Sequence, residues 1–414
     1  MRNLTLYTRL WVTALALISV APHAQAATFE EYVQRLTDHP QIASILAQSD
    51  AAQAQAQGEL GLPDPVVTIG VDNVPVSDPS FDRFLPTAKL IGFNQKIPNP
   101  ALRAAKSGRL DQLSKKFALV ADYTKARMRF MLIAKLAEYQ SAKTRKALIK
   151  KQLEYYTALE NTFEGQVESG GSQYQRFSEI DVERAEAERK LNNLDADITA
   201  IEAEFIRLVG DVPALDVPDV PDMQWDETPD ALYPVMIAAQ DIDIASKSVG
   251  VAEAAFLPDF GVNAIYKQRE SGEHNSFNGD DWFSLQAQIT IPLWADKNQK
   301  PKLKAAKDQE RSAQFAYDDM ARQWIQQMTA LHAARDAAGR NVKVLQGKDW
   351  AMKKKIAAAE RNYEAGTENL DSVLLAKIDR LNIQSQRAIV KALYVSRSAE
   401  FNANIIGAYQ EVSK

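Results

Sequence analysis

The chain has 414 residues, of which 46 % are apolar and 25 % are charged, a composition that is ordinary for a folded protein. It contains no cysteine, which excludes structural disulfides, thiolate metal sites and a lipid-modified N-terminal cysteine. The four histidines are scattered and the net charge is −5, so we expect neither a histidine metal centre nor nucleic acid binding.

The first 26 residues have the pattern of a secretory signal peptide. Arg2 and Arg9 come first, an apolar run follows at 10–20, and small residues stand at the expected cleavage site. The apolar run is about half the length that a membrane-spanning helix needs, which is about 20 residues. We therefore expect cleavage between Ala26 and Ala27 and an exported protein. No later stretch suits a spanning helix, so any membrane span must be made of strands.

The first half of the mature chain predicts one helical region, two strands and two long helices. Helical periodicity covers 29–60, and alternation of apolar with polar residues follows at 67–71 and 91–97, with a polar loop between the two strands. A long helix runs over 101–163, and a glycine-containing turn at 165–173 separates it from the next helix.

The helix after this turn carries the clearest heptad pattern. Its apolar residues recur at alternating spacings of three and four, which indicates a coiled-coil seam. These residues are Phe177, Ile180, Ala187, Leu191, Leu194, Ile198, Ile201, Phe205 and Leu208.

The second half repeats this order. A helix begins at Tyr233, alternating strands lie at 260–266 and 283–291, and long helices cover 301–365 and 366–407. Matching proline and glycine positions in the two halves are 194 to 197 residues apart, which indicates an internal duplication. The predicted organisation is a signal peptide at 1–26, a first structural repeat at 27–210, a linker at 211–229 and a second structural repeat at 230–414.

The strands are the candidates for a membrane span. A transmembrane strand needs about 9–11 residues with alternate faces toward lipid and water, and the predicted strands suit this length and alternation. Four strands cannot close a barrel, for which about eight are needed, so several chains would have to share one in a cyclic homo-oligomer. The alternative is that the strands form small soluble sheets at the end of a periplasmic coiled coil.

Short motifs recur at the boundaries of the predicted elements in both halves. His39-Pro40 and Tyr233-Pro234 begin the short helices. The strands are preceded by Leu62-Pro63-Asp64-Pro65 and Leu257-Pro258-Asp259-Phe260, and they are followed by Ile97-Pro98 and Ile291-Pro292. The last turn between helices contains Tyr363-Glu364-Ala365-Gly366-Thr367. In their order these motifs resemble those of the TolC family of outer-membrane efflux channels, and the resemblance covers essentially the whole mature sequence.

The resemblance implies a mainly α fold combined with a membrane β-barrel. Duplicated long-helix coiled coils would form a trimeric α-barrel tunnel across the periplasm, and four strands per protomer would contribute to a shared 12-stranded β-barrel in the cell outer membrane. It also implies the partners of such a channel. These are two further copies of the chain, a periplasmic adaptor of the membrane fusion type, an inner-membrane transporter of the resistance-nodulation-division type, and outer-membrane lipid.

By the same resemblance the glycine turns would be the periplasmic tips, where family members close and where the adaptor docks. Ser372 stands where many members carry an aspartate, so the second tip departs from the family pattern there. Glu179 and Asp181 follow the first tip and are candidates for acids that face the lumen, although acids near a helix start also complement the helix dipole. The predicted tip residues are Gly170, Gly171, Ser172, Gln173, Gly366, Thr367, Asp371 and Ser372.

The sequence contains no nucleotide-binding glycine loop, nucleophile elbow or zinc motif, and we expect neither an enzyme nor a cofactor. The predicted function is that of a passive outer-membrane channel in a tripartite efflux pump. Its cargo stays open between heavy-metal cations and other small solutes, since Asn73-Val74-Pro75 and Phe93-Asn94-Gln95 resemble the metal-efflux branch. The alternatives are a channel for type I protein secretion and a periplasmic coiled-coil scaffold without a pore.

Overall fold

The computed structural model describes residues 27–168 and 174–409. Within these residues the first half of the chain has four α-helices and two strands, and the second half has three α-helices and two strands. In chain order they are α1 (Phe29–Thr37), α2 (Pro40–Glu59), β1 (Val66–Asp72), β2 (Ala88–Ile97), α3 (Pro100–Glu168), α4 (Tyr174–Val209), α5 (Tyr233–Ala254), β3 (Asp259–Gln268), β4 (Trp282–Thr290), α6 (Gln299–Glu364) and α7 (Leu370–Ala403).

The two predicted hairpins join into one antiparallel sheet with the order β1-β2-β3-β4. The register places Ile91 of β2 between Ile69 of β1 and Tyr266 of β3. Since successive side chains point to opposite faces, this register collects the apolar residues on one face and most of the polar residues on the other. The apolar face is formed by Val67, Ile69, Val71, Ile91, Phe93, Phe260, Val262, Ala264, Tyr266, Phe283, Leu285, Ala287 and Ile289.

The long helices form a wall that continues from the sheet. At its centre lies α3, whose 69 residues correspond to a length of about 104 Å. Helices α2 and α4 pack on α3, α5 and α7 also pack on it, and α6 packs on α5 and α7. The wall therefore has α2 and α4 at one edge and α6 at the other edge. No helix in the described part of the chain is both long and apolar enough to cross a membrane.

The predicted seam is the face of α4 that packs on α3. Ile180, Ala187, Leu194, Phe205 and Leu208 are buried, and most of the remaining seam residues are buried or half-buried. The side chain of the other predicted seam residue, Phe177, lies outside the described residues. The 3,4 spacing predicted the buried face because α4 packs one narrow apolar stripe against its neighbour, as expected for coiled helices.

One apolar cluster joins the end of α3 to the beginnings of α4 and α7. It contains Phe163 of α3, Ile180 of α4 and Leu374 of α7. Phe163 is near the end of α3, and the other two residues lie within the first two turns of their helices. The last turns of α3 and the first turns of α4 and α7 are therefore neighbours, at the end that is opposite to the sheet.

Two predicted helix boundaries were wrong. Helix α3 continues through Gly165 to Glu168, because one glycine costs a helix only about 1 kcal/mol and the buried Phe163 holds the adjoining turn on α4. Helix α7 ends at Ala403, four residues earlier than predicted. Beyond it, Asn404 accepts a hydrogen bond from the backbone N–H of Tyr233, so the chain pairs with the start of α5 and leaves the helix.

Candidate functional site

The turn between α6 and α7 is a glycine C-cap. Gly366 has φ +73°, a left-handed conformation that favours glycine. Its N–H donates to the carbonyl oxygen of Tyr363 at 2.9 Å, and the N–H and hydroxyl of Thr367 both donate to the carbonyl oxygen of Asn362, at 2.9 and 3.0 Å. Gly366 and Thr367 are exposed. This predicted tip is therefore a rigid, accessible end of the helical wall.

The other two predicted residues of this tip lie in the first turn of α7. Asp371 is buried, with 8 % of its surface exposed, and the half-buried Ser372 donates from its hydroxyl to the carbonyl oxygen of Asn369 at 2.7 Å. A carboxylate in the first turn of a helix is favourably placed toward the helix dipole. Within one protomer, the exposed surface of this tip is therefore formed by the turn, and Asp371 lies behind it.

The remaining predicted site residues are divided between described and undescribed parts of the chain. Glu179 and Asp181 lie exposed on the first turns of α4. Ala27 packs at the edge of an apolar cluster near α1. The other predicted positions, Ala26 at the cleavage site and Gly170, Gly171, Ser172 and Gln173 at the first tip, lie outside the described residues.

Polar bridges near the tip fasten α4 to α3. The hydroxyl of Tyr156 donates to Glu183 at 2.9 Å and accepts from Gln152 at 3.1 Å, while Arg184 donates to both carboxylate oxygens of Glu160 at 2.7 and 2.8 Å. Burial raises the pKa of the Tyr156 hydroxyl to about 12, and the Glu183 carboxylate adds to this rise while Gln152 opposes it. These bridges fix the register of the helix pair about two to three turns from the end of α3 and the start of α4.

A second polar bridge joins α6 to α7. Asp349 accepts hydrogen bonds from Arg380 at 2.9 Å and Gln384 at 3.0 Å, and Arg387 lies 3.7 Å away. Burial of Asp349 disfavours its charged form, but these hydrogen bonds and the charges of both arginines outweigh burial and lower its pKa. Asp349 was not among the predicted site residues, although its position in the sequence is unusual. It follows Val342 and Leu345 at helical 3,4 spacing, so a carboxylate interrupts an otherwise apolar stripe.

The sheet presents two chemically different surfaces. Its polar face carries Asn94, Asn263 and Gln286, and Lys267 of β3 reaches across β2 to pair with Asp72 of β1. Its apolar face is exposed in the protomer, with Ile69 at 80 % exposure and Leu285 at 68 %. A sheet of this kind can separate water from lipid. Within the described residues, no three histidine or acidic side chains come together as a metal site.

Comparison with known proteins shows what this chain is similar to. Residues 235–403 match the family model described as "Outer membrane efflux protein". A search of curated protein sequences finds no match. The fold, in contrast, matches many solved structures at low sequence identity.

Three of these structures cover nearly the whole chain. The outer membrane protein VceC from Vibrio cholerae is 16 % identical with a TM-score of 0.71, over 92 % of this chain and 95 % of VceC. The MtrE outer membrane channel from Neisseria gonorrhoeae in its open state is 14 % identical with a TM-score of 0.74, over 90 % and 87 %. The CmeC outer membrane channel from Campylobacter jejuni is 13 % identical with a TM-score of 0.71, over 98 % and 94 %.

The family match and the fold confirm the resemblance predicted from the sequence. Residues 235–403 match the outer membrane efflux protein model, and nearly the whole chain has the fold of solved outer membrane channels. The predicted fold of long coiled helices with four strands in each chain is confirmed.

Proposed function

We propose that three copies of this chain form a passive conduit from the periplasm through the outer membrane. The observation that carries this proposal is that, in the described part of the chain, neither the sheet nor the helical wall closes on itself, and that each ends in two unpaired edges. Strand β1 and helices α2 and α4 lie at one edge, and strand β4 and helix α6 lie at the other. Because the two edges differ, copies join head to tail, and such contacts close into a ring. Three copies supply twelve strands, enough for a barrel.

The charges of the two edge helices support this head-to-tail closure. Residues 340–361 of α6 contain seven basic and two acidic residues, an excess of five positive charges. Residues 179–204 of α4 contain nine acidic and three basic residues, an excess of six negative charges. Arg361 of α6 and Glu179 of α4 both lie near the tip end of the wall, so the two segments lie at the same level. Opposite charge on neighbouring copies favours association and fixes its register.

The tips are the proposed docking surface for a periplasmic adaptor that links the channel to an inner-membrane transporter, of the resistance-nodulation-division type. Gly366 and Thr367 support this role because they are exposed at the end of a rigid wall. We propose the same role for Gly170, Gly171, Ser172 and Gln173, with Asp371 and Ser372 shaping the gate. Glu179 and Asp181 are proposed to face the lumen.

The two halves are proposed to be structural repeats, at 27–210 and 230–414, separated by the linker at 211–229. Both halves contain the order helix, two strands, long helix, helix. This order supports a duplication, because each half then supplies one hairpin and one long helix to the ring.

Fractionation and conductance test the conduit. The protein should occur in outer membranes, run as a detergent-resistant trimer and form water-filled pores in planar bilayers. Recovery as a soluble helical monomer after osmotic shock would support a periplasmic scaffold and contradict the conduit. A trimer in outer membranes that forms no pore, alone or with its pump, would contradict passive conduction.

The proposed cargo is a small solute, with heavy-metal cations as one class. The gene should be deleted and the strain exposed to copper, silver, zinc, cobalt and a panel of drugs. Increased sensitivity to a metal, restored by a plasmid copy, supports metal efflux. Unchanged metal tolerance with increased drug sensitivity assigns the channel to other small molecules, and loss of a secreted protein without either change assigns it to type I secretion.

A further inference from the structure

The junction between β4 and α6 exposes apolar side chains beside a group of lysines. Leu293 and Trp294 are 73 % and 70 % exposed, more than almost all other large apolar residues. They lie in the short connection between Thr290 and Gln299, which contains two turns held by backbone hydrogen bonds such as Lys297 N–H to the carbonyl oxygen of Trp294 at 3.1 Å. The exposed pair is thus displayed on an ordered segment.

Four exposed lysines follow this pair, and among the described residues an acidic partner is found for one of them. Lys300, at the start of α6, pairs with Asp296 of the connection at 2.5 Å. For Lys297, Lys302 and Lys304, no acidic side chain of the described chain lies within ion-pair distance. Within the described residues, their charges therefore form no ion pair that would hold the fold together.

The corresponding junction in the first half, between β2 and α3, behaves differently. There Arg103 donates to the carbonyl oxygen of Leu60 at 2.6 Å, and Lys106 pairs with Glu59 at 3.3 Å. These cations fasten α3 to the end of α2. The contrast shows that cations at this level can be used for packing, whereas the described residues give Lys297, Lys302 and Lys304 no acidic partner.

The exposed pair continues the apolar face of the sheet. Along β4 the residues on that face are every second one, up to Ile289, and Ile291 and Leu293 keep the same alternation in sequence. Trp294 comes next, and an indole ring combines an apolar body with a polar N–H, which suits the boundary between acyl chains and water. The connection therefore lies where a lipid-covered surface would end.

The lysines lie within a headgroup layer of that boundary. Helix α6 begins at Gln299, and the five residue steps from there to Lys304 rise about 7.5 Å. The polar layer on each side of a bilayer is about 5–7 Å thick. Lys297, Lys300 and Lys302 lie closer to the junction than Lys304, so these ammonium groups reach the level of lipid phosphates.

We propose that the β4–α6 junction, meaning Leu293, Trp294, Lys297, Lys302 and Lys304, binds the headgroups of anionic glycerophospholipids. This proposal rests on the conduit proposed above. The lipid lies in the leaflet from which the helical wall projects. Its acyl chains contact Leu293 and Trp294, and its phosphates pair with the lysines. Each lysine near an anionic surface contributes about 1 kcal/mol, so three per protomer favour anionic over zwitterionic lipid.

Thermal unfolding of the purified oligomer with added lipid tests this preference. Dioleoylphosphatidylglycerol should raise the unfolding midpoint of the wild type by several degrees more than dioleoylphosphatidylcholine does. The triple variant Lys297→Gln/Lys302→Gln/Lys304→Gln should lose this difference. The control Lys115→Gln/Lys150→Gln/Lys151→Gln removes three exposed lysines from α3 and should keep it. Inorganic phosphate alone should have no such effect.

Quenching gives a second readout that does not depend on stability. Phosphatidylglycerol with brominated acyl chains should quench tryptophan fluorescence in the wild type, and Trp294→Phe should remove part of that quenching. A triple lysine variant that keeps the lipid preference would overturn the proposal, and so would stabilisation by inorganic phosphate. A triple variant that is already monomeric before lipid is added would also overturn it, because the lysines would then hold the oligomer together. A wild type that is monomeric and soluble would instead overturn the conduit.

Discussion

The guanidinium group of Arg335 lies 4.7 Å from the centre of the Phe401 ring. Arg335 belongs to α6 and Phe401 to the last turn of α7, and both side chains are almost completely buried. The same guanidinium donates to the carbonyl oxygen of Met223 at 2.9 Å and pairs with the exposed Asp222 at 3.2 Å. One arginine thus fastens the segment between the two halves to the helical wall.

We expect Arg335→Ala to destabilise the fold by about 2–3 kcal/mol, since it removes a buried stem, a cation–π contact and a charged hydrogen bond. The measurement is guanidinium unfolding followed by circular dichroism. Arg335→Lys keeps the charge but not the planar group that stacks on Phe401, and should recover only part of the loss. Equal stability of Arg335→Ala and the wild type would contradict this role.

The Asp349 bridge predicts a pH dependence. Because its pKa is lowered in the folded state, its stabilising contribution is present above the unfolded value of about 4 and is lost as the pH falls through the lower folded value. At pH 7, Asp349→Asn should cost about 2 kcal/mol, since the hydrogen bonds from Arg380 and Gln384 lose their charged acceptor. The difference in the free energy of unfolding between variant and wild type should become smaller below about pH 4.

Unfolding midpoints of Asp349→Asn and wild type from pH 7 to pH 2.5 would measure this pH dependence. The control is Asp379→Asn on α7, an exposed acid without such a bridge, whose effect should be small at every pH. If the difference in unfolding midpoint between Asp349→Asn and wild type stays constant or widens toward low pH, the bridge does not have the proposed charge.

Two glycines of the α6–α7 pair predict opposite effects of the same substitution. At Gly366 a Cβ would meet no atom within 4 Å, but φ is +73°, so Gly366→Ala should cost about 1 kcal/mol through backbone strain alone. At Gly347, inside α6, a Cβ also meets nothing and the backbone is helical, so Gly347→Ala should stabilise by about 0.5–1 kcal/mol. Thermal unfolding of both variants tests the pair, and stabilisation by Gly366→Ala would contradict the observed turn.

The charges of the edge helices predict a salt-dependent oligomer. Lys343 and Lys354 lie exposed on α6, three turns apart on one face. Lys343→Gln/Lys354→Gln should lower the fraction of trimer at low salt. In about 1 M salt the variant and the wild type should have more similar fractions of trimer, because salt screens the attraction to α4 of the neighbouring copy. Sedimentation in detergent at several salt concentrations measures it.

The control for this prediction is Lys150→Gln/Lys151→Gln, which removes two exposed lysines from α3 in the centre of the wall. It should leave the trimer unchanged. If both double variants weaken the trimer equally, the effect comes from net charge and not from the α6 edge.

Local periodicity made most of the elements predictable. A 3,4 spacing is a property of each helix alone, and it identified α3, α4 and α6 to within a few residues of their observed ends. Alternation did the same for the strands and divided their residues between two faces. The predicted turn at Gly366 followed from a single glycine, because a left-handed C-cap needs no distant partner.

The sequence by itself therefore determined the elements, their order and the apolar stripes, all of which depend on residues within a few positions of one another. Only the tertiary structure decided what distant segments do together: the pairing of β2 with β3, the placement of α4 and α6 at opposite edges, and the burial of Arg335 against Met223, 112 residues away. Contacts of that kind depend on how faces pack in space, and no local spacing encodes their partners.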